Sequence, residues 1–314
     1  MKQLIYILIA ALMCVNTAYA QSLADDSETK YPHLNGHMFP SFSHFKSSFI
    51  TTSLQANLGF GTTAPLKING LKFGDYEIFE FEGKILFLTM GVEYQQRFNK
   101  WMAMFFSFTM AGRSGTDMNM IMADGINTIS GGNIGWLIRI KQSRKFNLSA
   151  TLKVSNLTGN FINVSQYFSD LINNVPYPSV IKKIPAMNAG LGLIGAWAIS
   201  PMFGLQFHTD GALGESFQRE GTNIYYSAGV LGDIDFMPKQ KVPIGLALGY
   251  TISSAPDILS GDNEAIHLII GKIGYTASGD FDLGLQYSYY KMKMISVNRR
   301  TDVSSFSLVL KLYF

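Results

Sequence analysis

From Ser48 to the carboxyl terminus, apolar residues recur at every second position, not at the three-to-four spacing of a helix. Leu86, Leu88, Met90, Val92 and Tyr94 share one face, and Phe87, Thr89, Gly91 and Glu93 share the other. The same beat runs through Ile134, Trp136, Ile138 and Ile140, and through Phe146, Leu148, Ala150, Leu152 and Val154. In Phe203, Leu205 and Phe207 it faces Gly204, Gln206, His208 and Asp210, and it returns in Val242 to Tyr250 and in Phe281 to Tyr289. Successive strand side chains point to opposite faces, so each run predicts a strand with one apolar face and one polar or small face. The pattern predicts about twelve such strands, with a range of roughly ten to fourteen because boundaries read this way err by two to four residues.

The connections between these runs alternate in length. Short ones fall at 98–100, 142–145, 200–202, 238–241 and 278–280; long ones fall at 63–81, 114–127, 157–185, 213–222, 254–263 and 293–303. Sheets stacked as a soluble sandwich have no reason to keep such alternation along the whole chain. A membrane barrel does, with short turns on the periplasmic side and longer loops outside. The expected fold is therefore all-β: a transmembrane, antiparallel, up-and-down β-barrel over 47–314.

Composition agrees with this reading. The chain is 47% hydrophobic and only 15% charged, against about a quarter charged in ordinary soluble domains. Beyond residue 20 it nevertheless lacks an apolar run of about 18 residues, so no helix is expected to span a bilayer. Residues 1–20 read as a cleaved signal peptide: Lys2, an apolar stretch over 4–15, then Ala18-Tyr19-Ala20 before Gln21. The single cysteine, Cys14, falls within that leader, so the mature chain is expected to form no disulfide and no thiolate metal site. Removing Lys2 from the net charge of +3 leaves about +2, which argues against a nucleic-acid partner.

The last run carries a family resemblance. Phe306, Leu308, Leu310, Leu312 and the terminal Phe314 form an alternating apolar face that ends in an aromatic. With the leader, this resembles the Gram-negative outer-membrane β-barrel proteins over about 48–314. The overall texture loosely resembles porin-like channels and hydrophobic-compound channels of the FadL type. The resemblance implies residence in the outer membrane, contact with its lipid, and Leu310, Leu312 and Phe314 as a signal for the barrel-assembly machinery.

Candidate chemistry sits on the face opposite the lipid. Arg113, Arg139, Lys153, Gln206, His208, Asp210, Asp233, Asp235, Lys272 and Asp282 are expected to face the lumen. They either select solutes by charge and hydrogen bonding or pair with one another inside a filled barrel. Residues 163–175 place Val164, Tyr167, Phe168, Leu171, Ile172 and Val175 at helical spacing behind Asn163 as N-cap. Tyr167, Phe168 and Leu171 are thus candidates for a loop helix that caps or gates the pore. Residues 21–46, polar and carrying Pro32, Pro40, His33, His37 and His44, read as a flexible periplasmic lead-in with no defined metal site.

Two enzyme-like patterns fail on context. Gly190, Gly192 and Gly195 fit a dinucleotide fingerprint, but Leu191, Leu193, Trp197 and Ile199 keep the strand alternation where the fingerprint requires a helix. His208-Thr209-Asp210 lacks the serine of barrel phospholipases. No catalytic residue, metal or cofactor is expected. The expected function is a channel or transport protein for a small polar or amphipathic solute. The alternatives are a surface-interaction barrel with a blocked lumen and, less favoured, a lipid-modifying enzyme.

Overall fold

The computed structural model describes residues 31–69, 72–73, 76–77, 80–114, 125–215, 221–254, 265–294 and 299–314. The leader expected at 1–20 and the first part of the polar segment lie outside the described residues. Among the described residues twelve strands form one closed barrel. They are β1 (Ser53–Thr63), β2 (Leu86–Asn99), β3 (Met102–Arg113), β4 (Gly125–Gln142), β5 (Phe146–Ile162), β6 (Ile181–Ala198), β7 (Phe203–Gly214), β8 (Asn223–Asp235), β9 (Ile244–Ser253), β10 (Ile266–Tyr275), β11 (Phe281–Met294) and β12 (Arg299–Tyr313). Each strand pairs antiparallel with the next in sequence, and β12 closes on β1 from Val303 against Thr63 to Tyr313 against Ser53. No helix among the described residues is long and apolar enough to cross a membrane.

Closure follows from the chemistry of the backbone. Each N–H and C=O buried in hydrocarbon needs a partner within the protein, and a cylinder of strands leaves no unpaired edge. The side-chain beat then decides which face meets lipid. In β1, Ser53 and Gln55 are buried inside, whereas Leu54, Leu58 and Phe60 are exposed outside. Leu58, Leu191 and Leu248 keep about two-thirds of their surface exposed, at 66%, 68% and 67%. In water that apolar belt would drive aggregation; in a bilayer it is the solvated surface. Leu312 and Leu310 lie on the outer face and Phe314 is exposed at its end, where its N–H donates to Thr52 O at 3.0 Å.

Three strands project furthest beyond the membrane. β4, β5 and β6 have 18, 17 and 18 residues, where a tilted span needs about 9–11. Their pairing continues to Gly125 against Ile162 and Ile162 against Ile181, so the loop expected at 157–185 is strand at both ends, over 157–162 and 181–185. Its Asn, Thr and Gly residues carry no apolar alternation, because both faces meet water there. The ladder holds it together, helped by Asn160 Nδ2 donating to Thr128 Oγ1 at 2.7 Å. A nine-residue helix, α1 (Val164–Ile172), occupies the tip, and Asn163 Oδ1 accepts from the Gln166 N–H at 2.8 Å as its N-cap. At the opposite end the β8–β9 turn holds the four-residue α2 (Met237–Gln240), closed by Lys241 at φ 59°.

The lipid belt generates a stability prediction. Leu248→Arg is expected to lower folding free energy in vesicles by about 2–4 kcal/mol, with Leu248→Phe close to wild type, as read from reversible denaturant titration.

Candidate functional site

The lumen is not empty: the chain itself fills its lower half. Residues 31–52 enter at the end bearing the short turns, climb into the barrel, double back and return to the same end to begin β1. Over the described part, 31–46, this departs from the periplasmic lead-in expected at 21–46. The physical reason lies in four aromatic residues, Phe39, Phe42, Phe45 and Phe49, which are 1–5% exposed inside the barrel. About eight strands can be filled by their own side chains, whereas twelve leave a gap that needs further material.

The entering limb is anchored from the rim inward. Tyr31 donates its hydroxyl to Asp280 Oδ1 at 2.8 Å. His33–Leu34 and His37–Met38 pair as a minimal hairpin, with Asn35 and Gly36 both left-handed at φ 50° and 85°. Asn-Gly is the pair that such a turn prefers. His37 is fully buried and pairs with Asp233, lying against Gly204, where a Cβ would collide with the imidazole. Deeper in, Ser41 Oγ donates to Asp282 Oδ2 at 2.6 Å, while Lys272 Nζ donates to Asp282 Oδ1 at 2.8 Å and to Ser41 O at 2.7 Å.

Past its two-residue hairpin the plug forms no sheet or helix, so its backbone polar groups need other partners. The inward row of amides and hydroxyls supplies them. Gln206 Nε2 donates to Pro40 O at 3.2 Å, and Gln55 Nε2 to Phe42 O at 2.9 Å. Gln286 Oε1 accepts from the Ser43 N–H at 3.0 Å. On the returning limb Ser48 O accepts from Asn147 Nδ2 and from Ser149 Oγ, both at 2.7 Å, and Gln95 Nε2 donates to Phe49 O at 2.9 Å. Apolar contacts fill the remainder: Phe39 and Phe49 with Ala196 and Ala198, Phe42 and Phe45 with Leu231 and Ile270, and Ile50 with Leu137 and Ile194.

Lys46 near the apex is the one Lys, Arg, Asp or Glu from 31 to 52. Its ammonium lies 2.7 Å from Glu93 Oε1 and 4.0 Å from the centre of the Phe105 ring. Beside it Phe45 meets the His208 ring edge-on at 4.5 Å. Above the apex lies a cavity of about 370 Å³ whose walls include Asn57, Ser107, Asn133, Thr151, Lys153 and Asp210. Lys153 and Asp210 are ion-paired at 2.9 Å, and Gly192 leaves room for the Asp210 carboxylate, which a Cβ would strike. Gly192 and Gly190 of the dinucleotide-like pattern therefore serve as wall glycines within β6.

The lumen candidates divide by height. Gln206, Asp233, Lys272 and Asp282 grip the plug; Lys153, His208 and Asp210 line the cavity. Asp235 is buried at the mouth, where its Oδ1 accepts from the Met237 N–H at 3.0 Å and fixes the turn. Arg113 and Arg139, half-buried on β3 and β4, do not line the cavity. Nor do the gate candidates Tyr167, Phe168 and Leu171: α1 stands at the tip of the β5–β6 extension with Phe168 and Leu171 exposed. The segment that blocks the lumen is the amino-terminal one. Sequence reasoning passed over Lys46, Glu93, Gln95, Asn147 and Gln286, and also the aromatic spacing at 39, 42, 45 and 49 that marks a buried segment.

A closed antiparallel cylinder with a lipid-facing belt, short turns at one end and a polar lumen is the architecture of a transmembrane β-barrel, and this chain has it. No protein-family model and no curated protein matches it. Among solved structures it is similar to the NanC porin, at 7% identity, 83% of this chain, 100% of that one and a TM-score of 0.49. It is also similar to the translocator domain of the autotransporter NalP from Neisseria meningitidis (10%, 87% and 90%, 0.46) and to a Pseudomonas aeruginosa FadL homologue (11%, 90% and 96%, 0.43). These likenesses concern the barrel alone.

Two outcomes test the plug. Removing one member of a buried ion pair costs about 3–5 kcal/mol, so Asp282→Ala should speed tryptic cleavage after Lys46 by more than tenfold. Burial pushes the Lys46 ammonium down from 10.5 to about 8, against the pull of Glu93. Between those values the docked plug binds fewer protons than the released one, so docking should tighten as pH rises from 8 toward 10. Cleavage at Lys46, measured relative to a free peptide of the same sequence, should slow across that window.

Proposed function

We propose that this protein is an outer-membrane transport channel for a small polar solute, held closed by its own amino-terminal segment. The path of 31–52 carries the reading. Because the segment enters and leaves at one end, it can withdraw toward the periplasm without opening the barrel or threading through it. Most of its grip is made of hydrogen bonds and ion pairs to the wall, groups that water satisfies once the segment leaves. Such bonds contribute about 0.5–1.5 kcal/mol each, net of solvation, which favours a reversible stopper. A polar cavity on the far side of the stopper, lined by paired charges, fits a waiting position for solute.

A permanently blocked, surface-interaction barrel is the second reading. The four buried phenylalanines favour it, since full burial of each stabilises by about 1.5–3 kcal/mol. The projecting β4–β6 sheet with α1 at its tip would then be the working surface.

Conductance separates the two. In lipid vesicles the wild-type protein should conduct weakly, and a variant lacking 31–50 should conduct at least tenfold more, with Asp282→Ala in between. A deleted variant that still folds, by heat-modifiable gel migration, and conducts no better than wild type would leave only the blocked-barrel reading.

A further inference from the structure

The minimal hairpin at the barrel mouth sorts its side chains by face. Leu34 stands opposite His37, and both are buried against the wall. His33 stands opposite Met38 on the other face, and both are half-buried. Directly opposed strand residues keep their Cβ atoms about 4.5–5.5 Å apart, so an imidazole and a thioether lie side by side. These two residues line a second cavity, of about 360 Å³, and Met237 and Asp235 of the β8–β9 turn line it with them. Nothing in the spacing of 33 and 38 marks a ligand set; the Asn35-Gly36 turn makes them neighbours.

The donor set specifies the occupant. Methionine used as core filling is buried, whereas Met38 and Met237 are only half-buried beside this void. Among the described residues no three His, Cys, Asp or Glu side chains gather into a metal cluster, so ions that need nitrogen, thiolate or carboxylate cages find none. Thioether sulfur is soft and selects copper(I), which imidazole also suits. The Gly36 backbone engages one His33 ring nitrogen, the support a ligating imidazole ordinarily has, and the second remains for an ion. Methionine turns about three bonds, so two sulfurs from different elements can converge. Asp235, 3% exposed, sets a carboxylate beside the monocation, while Lys241 on the same cavity is exposed and keeps its ammonium in water.

We propose that His33, Met38 and Met237 bind one copper(I) ion beside Asp235. His33 and Met38 belong to the plug and Met237 to the wall. The ion therefore joins the two and clasps the entering limb at the rim. As a metal site the inference stands by itself; as a clasp it rests on the reading of 31–52 as a removable stopper.

The test is titration of the mature protein in detergent with copper(I), oxygen-free and in competition with a chromogenic copper(I) chelator. Silver(I) serves in parallel as a redox-inert probe. Wild type should bind one ion per chain. His33→Gln, Met38→Leu and Met237→Leu should each weaken binding at least tenfold with heat-modifiable migration unchanged, and Met187→Leu, exposed on the outer face, should not weaken it. Silver(I) should shift the methyl NMR signals of Met38 and Met237 selectively. It should also slow tryptic cleavage after Lys46 at least fivefold in wild type, but not in Met237→Leu. No stoichiometric ion in wild type, or binding that survives joint replacement of Met38 and Met237 by leucine, overturns the proposal. Binding without slowed cleavage keeps the site and overturns the clasp. A conductance gain on plug deletion without copper(I) binding removes the site and leaves the transport reading standing.

Discussion

The structure depends throughout on one constraint: a backbone amide cut off from water must find a partner. In the wall the constraint is met by closure, as β12 pairs with β1 and no strand edge faces hydrocarbon. In the lumen it is met differently. The plug forms no ladder beyond its two-residue hairpin, and Gln55, Gln95, Asn147, Gln206 and Gln286 hydrogen-bond its carbonyls and N–H groups in place of a neighbouring strand. A barrel wall and an irregular segment can therefore share one dry interior.

Charge follows the same logic. Lys272 and Asp282 have side chains 1% and 6% exposed, and a pair that deep persists only with its remaining positions satisfied, which the Ser41 carbonyl and hydroxyl do. Stability alone would be served as well by apolar residues of similar volume. Polar clamps instead allow the segment to exchange wall for water, the property on which the proposed gated passage rests. Higher in the lumen Glu93 serves Lys46 at 2.7 Å and Lys311 at 3.9 Å.

The split between plug and cavity gives the lumen two jobs at two heights. Below, Asp233, Gln206, Lys272 and Asp282 hold the chain's own polypeptide. Above, His208, Thr151, Lys153 and Asp210 surround open space. Phe45 ties the levels together, lying against His208 from below, so motion of the plug reaches the cavity directly.

The sequence by itself determined the wall. A two-residue beat is local, and the bilayer acts on each strand alike, so Leu86 to Tyr94 or Phe281 to Tyr289 reveal their lipid face without knowledge of their neighbours. The alternation of short and long connections then fixes neighbour order, and the inward placement of Lys272, Asp282, Gln206 and His208 follows from parity alone. The length of β4 to β6 escaped, because strands wet on both faces leave no beat. So did the plug: Phe39, Phe42, Phe45 and Phe49 recur at the three- and four-residue spacing of a helix although the segment forms none, and the partners of Ser41 and Ser43 between them lie 241 and 243 residues away. Only the assembled cylinder decided that its gap would be filled from below, since a cavity has no sequence of its own and exists only once distant walls have met.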